Sequence, residues 1–374
     1  MEEYRVLLIE QNRIMLERLS GVVRTTAGFR LVAREKSPEQ ALQQAGVFLP
    51  NLILLDIDWP ENMDLVHDFV RAFPQAGLIC LSAQWNAQLA SAVVKAGAKG
   101  YLIKPFTGEE LLTALKTFGS SGMGLISDVM TFFSPKGKSG KTTLIANLAM
   151  ALAKKTKQSV GIIDADLQFG DLAVFFNLEP QSTIVEAIRD IHFLSPITLN
   201  AYFQPVNDQV RVLCGTKRPE FAENIKPKAF WDLVHMARSL FRYVLIDIPP
   251  AFSPVSAVAA EAADHVYLVT MMGGGFEIQH VKRALEIFKV WPDYEEKVKT
   301  IFTRVEPCDK KAEHDLAELT GYPVSGILPN EYVLVSNSAN NGRMAAELDP
   351  NSPLASRIEI LAAAISAGGK KAVP

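Results

Sequence analysis

Short apolar runs separated by longer segments, in which apolar residues recur every three or four positions, fill the first third of the chain. The runs Val6–Ile9, Leu31–Arg34, Leu52–Leu55, Gly77–Leu81 and Gly100–Ile103 read as strands. Helices are expected near Ile14–Thr25, Pro38–Ala45, Leu65–Ala72, Ala87–Ala96 and Glu109–Phe118. Strands this short and apolar, alternating with helices, imply a parallel sheet covered on both faces. Sites then form at the strands' carboxyl ends. Those ends carry Glu10 and Gln11, Asp56, Ser82, and Lys104 followed by Pro105.

A second series of runs begins at Val129–Phe133 and continues with Val160–Asp164, Val210–Cys214, Tyr243–Asp247, His265–Met271, Lys299–Thr303 and Val324–Leu328. Leu144, Ile145, Leu148, Ala149 and Leu152 lie on one helical face, and Ser182–Ile188 and Pro227–Phe241 also read as helical. Ser352 and Pro353 form a good helix start, after which Leu354, Ile358, Leu361 and Ile365 make one apolar stripe. The polar face of that helix lacks the lysines of a membrane-surface helix, so core packing is expected. Between the two series, Gly119–Ser127 holds three glycines and three serines in nine residues, a composition that resists regular structure. The expected organisation is α/β throughout: a first domain at 1–118, a flexible linker at 119–127, a second domain at 128–368 and a tail at 369–374.

Composition narrows the class without naming a function. The 374 residues are 48% hydrophobic and 21% charged, which suits a globular chain of two or three domains. A formal net charge of -3 gives no global basicity, so DNA binding is not expected. Cys80, Cys214 and Cys308 are widely spaced, and the six histidines show no ligand spacing, so neither a disulfide framework nor a zinc site is expected. No leader-like segment opens the chain and no apolar run approaches about 20 residues, so a cytoplasmic protein without an intrinsic membrane segment is expected.

The strongest chemistry lies at Val129–Thr143, where an apolar strand breaks into Ser134-Pro-Lys136-Gly137-Lys138-Ser139-Gly140-Lys141-Thr142-Thr143 and a helix follows. Backbone N–H groups of such a loop, with the positive end of the helix, form a concave anion site. Lys141 would then reach terminal phosphates and Thr142 would hold magnesium. Pro135 replaces the first glycine of the general pattern, and Lys136 lies five residues before Lys141. This loop resembles the deviant Walker A loops of the ParA/MinD ATPases, in which a lysine at the position of Lys136 reaches into the other subunit's site. Lys138 departs from it, because a glycine is usual there.

That resemblance implies a P-loop NTPase domain with a mostly parallel sheet, and ATP and Mg2+ as cofactors. It assigns Lys136 to Thr143 to the phosphates and Asp247, closing the run Tyr243-Val-Leu-Ile-Asp247, to magnesium beside Thr142. The acid that positions the attacking water is Asp166, with Asp164 as the alternative, and Thr303-Arg304 resembles the Asn-Arg pair that contacts adenine, with threonine in place of asparagine. The first domain resembles a response-regulator receiver, a flavodoxin-like fold in which the residue matching Asp56 accepts a phosphoryl group and those matching Ser82 and Lys104 contact it. Tyr101 stands at the position of that family's switch aromatic. Gln11 replaces the second acid of its magnesium pair, which leaves Glu10 and Asp56 as the expected carboxylates and weakens the expected metal site. Two uses of the domain follow, a phosphorylation switch or a docking module in which Asp56 and Lys104 form a residual ion pair.

A receiver-like domain ahead of a deviant P-loop domain, with the stretch Asp166-Leu-Gln-Phe-Gly-Asp171, resembles the TadZ/CpaE family of pilus assembly proteins. The resemblance implies a homodimerising, slowly hydrolysing ATPase that organises Flp/type IVb (tight adherence) pilus assembly. It also implies pilus assembly and secretion components as partners, and recruitment to a cell pole or the inner membrane face. A non-catalytic scaffold and a DNA-partitioning or cell-positioning ATPase are the alternatives.

Overall fold

The computed structural model describes residues 4–74, 76–119, 127–194, 196–216, 218, 220, 221, 225–273 and 275–368. The expected linker at 119–127 falls almost wholly outside the described residues, as does the tail at 369–374. The chain divides into two compact units, one of Met1–Ile126 with His192–Leu199 and one of Ser127–Ile191 with Asn200–Pro374.

In the first unit the strands are β1 (Tyr4–Ile9), β2 (Phe29–Glu35), β3 (Leu52–Asp56), β4 (Gly77–Ser82) and β5 (Gly100–Ile103). Their order is β2-β1-β3-β4-β5, all parallel. Successive side chains point to opposite faces, so Leu7, Ile53 and Cys80 join one core with Phe69 while Val6, Leu54 and Leu81 join another with Leu19. Burial of each Leu, Ile or Phe contributes about 1.5–3 kcal/mol. The order reverses beside β1, which brings the ends of β1 and β3 together at a switch point. Asn12 and Asn86 cap the helices Arg13–Thr25 and Ala87–Lys95 that leave this same edge.

The second unit holds β6 (Asp128–Phe133), β7 (Val160–Asp164), β8 (Gln204–Pro205), β9 (Val210–Leu213), β10 (Tyr243–Asp247), β11 (His265–Met271), β12 (Val298–Val305) and β13 (Val324–Pro329). The described residues give an eight-stranded sheet in the order β13-β12-β11-β6-β10-β7-β9-β8. Only the β8–β9 pairing is antiparallel. The sheet is therefore mostly parallel, as the apolar runs imply. In register, Phe132 lies beside Asp247 and Asp247 beside Asp164, so the glycine–lysine loop and both acids emerge on one edge.

Helix Lys141–Thr156 buries Leu144, Ile145, Leu148 and Leu152 against that sheet. Helix Pro353–Gly368 adds Leu354, Ile358, Leu361 and Ile365 to the same core, so its stripe is spent on packing. Among the described residues no helix is long and apolar enough to cross a membrane. Helices Pro254–Ala262, Glu277–Phe288, Lys310–Thr320 and Tyr332–Asn341 are not announced by the apolar runs. The last of these fully buries only Ser338 and packs Leu334, Val335 and Ala339 part-buried against the core, so its apolar face is short.

Candidate functional site

The loop Ser134–Thr143 is shaped by its own backbone and clamped from β12. Ser134 Oγ donates to the Lys136 carbonyl at 2.7 Å. Gly140 caps the helix with φ 81°, and Lys138 takes φ 63°, a left-handed conformation that costs an L residue about 1–2 kcal/mol. Lys138 thus adopts a backbone conformation that favours glycine, while its side chain remains exposed. Thr303 Oγ1 donates to the Ser139 carbonyl at 2.6 Å, and Arg304 Nη2 reaches the Lys138 carbonyl at 3.4 Å. Arg304 is itself left-handed, with φ 56°. Thr303 is 5% exposed, and its hydroxyl supports the loop from within. Lys136 is solvent-exposed.

Lys141 and Thr142 converge on one carboxylate. Lys141 Nζ donates to Asp247 Oδ1, and Thr142 Oγ1 donates to Asp247 Oδ2 at 2.7 Å. Burial pushes the Asp247 carboxyl above its ordinary pKa, against the opposing pull of Lys141 and Thr142. Beside it, Asp164 is 1% exposed and is pushed well above the ordinary value, by burial first and by Asp247 second. Its oxygens accept from the N–H groups of Asp166 and Leu172, each at 3.3 Å. A Cβ on Gly170 would meet those oxygens at 2.4 Å, so only glycine fits there. Asp166 follows on the outgoing loop, half-buried, and its carboxylate accepts from the Phe169 N–H at 3.3 Å. A cleft of about 70 Å³ adjoins the loop, bordered by Gly140, Thr143, Arg304, Pro329 and Tyr332.

In the first unit the structure joins Glu10, Asp56, Ser82 and Lys104 and adds a residue that the sequence reading lacks. Lys104 Nζ lies 2.5 Å from Glu10 Oε2, 2.7 Å from Asp56 Oδ1 and 3.1 Å from Asp58 Oδ2. The expectation that Glu10 and Asp56 are the only carboxylates at this edge is therefore corrected, because the loop after β3 turns Asp58 back over it. The signal was present as Asp56-Ile-Asp58, but the direction of a loop side chain is set by its tertiary partners. Gln11 Nε2 lies 3.4 Å from Asn62 Oδ1, and buried Asn62 donates to the Asp56 carbonyl at 2.8 Å. Burial raises the Glu10 pKa despite its bond to Lys104. Burial alone would lower that of Lys104, and its bonds to Asp56 and Glu10 raise it instead. Among the described residues no group of three or more His, Cys, Asp or Glu is arranged to hold a metal ion.

Residues 130–343 match the CobQ/CobB/MinD/ParA nucleotide binding domain, which is more than half of the chain. The chain belongs to this nucleotide-binding family. Ahead of that domain, residues 6–116 match the response regulator receiver domain. A ParA family ATPase from Chlorobium tepidum superposes with a TM-score of 0.59 at 22% identity, over 63% of this chain and 99% of that one. The septum site-determining protein MinD of Pyrococcus horikoshii, solved with Mg-ADP, gives 0.55 at 18% identity over 66% of this chain and all of that one (100%). At these identities the likeness is one of fold. An uncharacterized ATP-binding protein of Methanocaldococcus jannaschii is 26% identical over 244 residues, 64% of this chain and 88% of that protein. The transcriptional regulatory protein MctR of Rhizobium johnstonii is 28% identical over 127 residues, 33% of this chain. The chain spans only 59% of MctR's length, and 51% of that of the similarly named DegU of Brevibacillus brevis.

Proposed function

We propose that the second unit binds Mg-ATP on the loop Lys136–Thr143 and that ATP-dependent pairing of two copies is the protein's switch, reset by slow hydrolysis to ADP and phosphate. The observation that carries this reading is the convergence of Lys141 and Thr142 on the single carboxylate of Asp247, at the mouth of a strand–loop–helix unit. A hydroxyl and a carboxylate oxygen 2.7 Å apart are the hard donors that magnesium takes, so the residues fit the ion. Thr142 would bind it directly and Asp247 through water, and the ion would offset charge on the phosphates. Phosphate oxygens would compete with Asp247 for Lys141, freeing that carboxylate for its second role.

Asp166 is the residue we assign to positioning the attacking water. Asp164 is enclosed behind Gly170 and holds the loop in shape. Lys136 is exposed at the loop's rim and is free to contact phosphates bound by a second copy. Arg304, at the adjoining cleft, is assigned to the nucleotide's far end. The order of receiver unit and ATPase unit supports a role in organising tight-adherence pilus assembly from the cytoplasm, with pilus components as partners and recruitment to a pole through them.

ATP turnover and ATP-dependent dimerisation of the wild type, Lys136→Ala and Lys141→Ala test the reading. Lys141→Ala should lose turnover about 10²-fold or more, and Lys136→Ala should bind ATP yet fail to pair. A wild type that turns over no faster than either variant and dimerises without nucleotide overturns the switch. The second reading, a non-catalytic scaffold, is favoured by Lys138 in the loop and by Gln11 at the receiver edge. Loss of surface pili on deletion, with polar position retained by Lys141→Ala, would select it.

A further inference from the structure

The receiver edge holds an anion cradle that the chain fills with its own side chain. Three donors from two different strand ends meet at Asp58. Ser82 Oγ donates to Asp58 Oδ1 at 2.5 Å, and the Ala83 N–H lies 2.9 Å from Oδ1 and 3.1 Å from Oδ2. Lys104 Nζ reaches Oδ2 at 3.1 Å. A hydroxyl, a backbone N–H and an ammonium closing on both oxygens of one group form a site for an oxyanion. Each of the three contacts is a donor and none is an acceptor, which is the surrounding that an acceptor-only carboxylate takes.

Asp56 stands beside this cradle and shares its ammonium, with Oδ1 2.7 Å from Lys104 Nζ. It is 0% exposed, and its second oxygen, Oδ2, has no hydrogen-bond partner among the described residues. A phosphoryl group on that carboxylate would bring roughly -1.5 to -2 charges and three acceptor oxygens. Asp56 Oδ1 also accepts from the Asp58 N–H at 3.0 Å, and the hydroxyl of Ser82, the N–H of Ala83 and the ammonium of Lys104 are already engaged by Asp58. Asp56 therefore has an uncommitted oxygen, and what it lacks is an open cradle.

We propose that Asp58 is a resident anion that occupies the Ser82/Ala83/Lys104 cradle, denies it to a phosphoryl group on Asp56, and holds the neighbouring aromatic face in one fixed arrangement. The connection to that face is continuous. Ser82 Oγ also lies 3.2 Å from the Gln84 carbonyl, which accepts the Tyr101 hydroxyl at 2.7 Å. Tyr101 is 5% exposed, and burial pushes its pKa up to about 12. Its ring meets Trp85 edge-on at 5.4 Å. A carboxylate built into the fold cannot leave as a phosphoryl group does, so the unit presents this face constantly. This inference does not depend on nucleotide binding at the second unit.

The test uses the full chain with radiolabelled acetyl phosphate and magnesium. Transfer would form a bond from an Asp56 carboxylate oxygen to phosphorus while the bond from phosphorus to acetate breaks and acetate leaves with the electron pair. The wild type should remain unlabelled. Asp58→Ala should take up at least about tenfold more label, a difference of 1.4 kcal/mol, and Asp58→Ala combined with Asp56→Asn should lose it. Tryptophan emission should shift in Asp58→Ala through Trp85. Ser82→Ala, which removes one arm of the cradle while keeping the carboxylate, should shift it as well. Labelling of the wild type to the level of Asp58→Ala overturns the proposal. So does an Asp58→Ala protein that is neither labelled nor changed in emission, or an unchanged emission in Ser82→Ala.

Discussion

Thr303 shows how much one buried hydroxyl can organise. Its bond to the Ser139 carbonyl crosses from β12 to the glycine–lysine loop, and both residues are nearly closed to solvent. Thr303→Val keeps the shape and orphans that carbonyl, so unfolding free energy should fall by about 1–3 kcal/mol. ADP affinity should fall with it, as equilibrium denaturation and nucleotide titration would show. Lys138 is the opposite case, a residue whose φ of 63° suits glycine better. Lys138→Gly should raise the midpoint of thermal unfolding, with a gain of up to about 1 kcal/mol, and nucleotide affinity will tell whether the extra charge contributes. Asp164 makes stability depend on pH. Its folded pKa lies above the unfolded value, so the folded state holds the proton more tightly, and stability falls as pH rises from the ordinary carboxylate value through the raised one. Asp164→Asn should make that slope shallower in denaturation curves measured across the range, leaving the share that comes from Asp247 and Glu10, whatever its absolute stability.

At the scale of elements, strands were the most legible feature, because a strand buried on both faces is a continuous apolar word in the sequence. The runs at Leu52, Val160 and Tyr243 each end in the acid that the structure places on the site edge. Helices were less legible than strands: Glu277–Phe288 buries Val281, Ala284, Leu285 and Phe288 on one face and was still not announced. Helix Pro254–Ala262 escaped because its alanines give little contrast between faces, and Tyr332–Asn341 because its apolar face is short. Helix Pro353–Gly368 makes the sharpest prediction at this scale. Ile358 is 3% exposed and packs in the same core as Leu148. Ile358→Ala should cost about 2–5 kcal/mol in unfolding free energy. A membrane-surface helix would lose vesicle binding instead and leave stability unchanged.

For the whole molecule, two compact units whose cores are built from separate sets of side chains predict two unfolding transitions in scanning calorimetry. Mg-ATP at one hundred times its dissociation constant should add about 2.7 kcal/mol to the unit that binds it. The transition of the unit around the eight-stranded sheet should therefore rise while the other stays in place. A shift of both transitions, or of the receiver transition alone, would move nucleotide recognition away from the loop at Lys136–Thr143.

The α/β class, the order of two parallel-sheet units and the strand–loop–helix around Lys136–Thr143 were all determined by the sequence alone, because each is written in local pattern: apolar runs, helical periodicity and a glycine–lysine loop between them. Tertiary structure decided which distant side chains share a site. Thr303 reaches Ser139 across 164 residues, and Lys104 reaches Asp56 across 48. Asp58 is closest in sequence to the residue it shields, yet its role is the least legible, because that role depends on Ser82, Ala83 and Lys104 being brought to it by two other strands. Local patterns choose the elements, while the meeting of charges at a sheet edge is chosen by strand order.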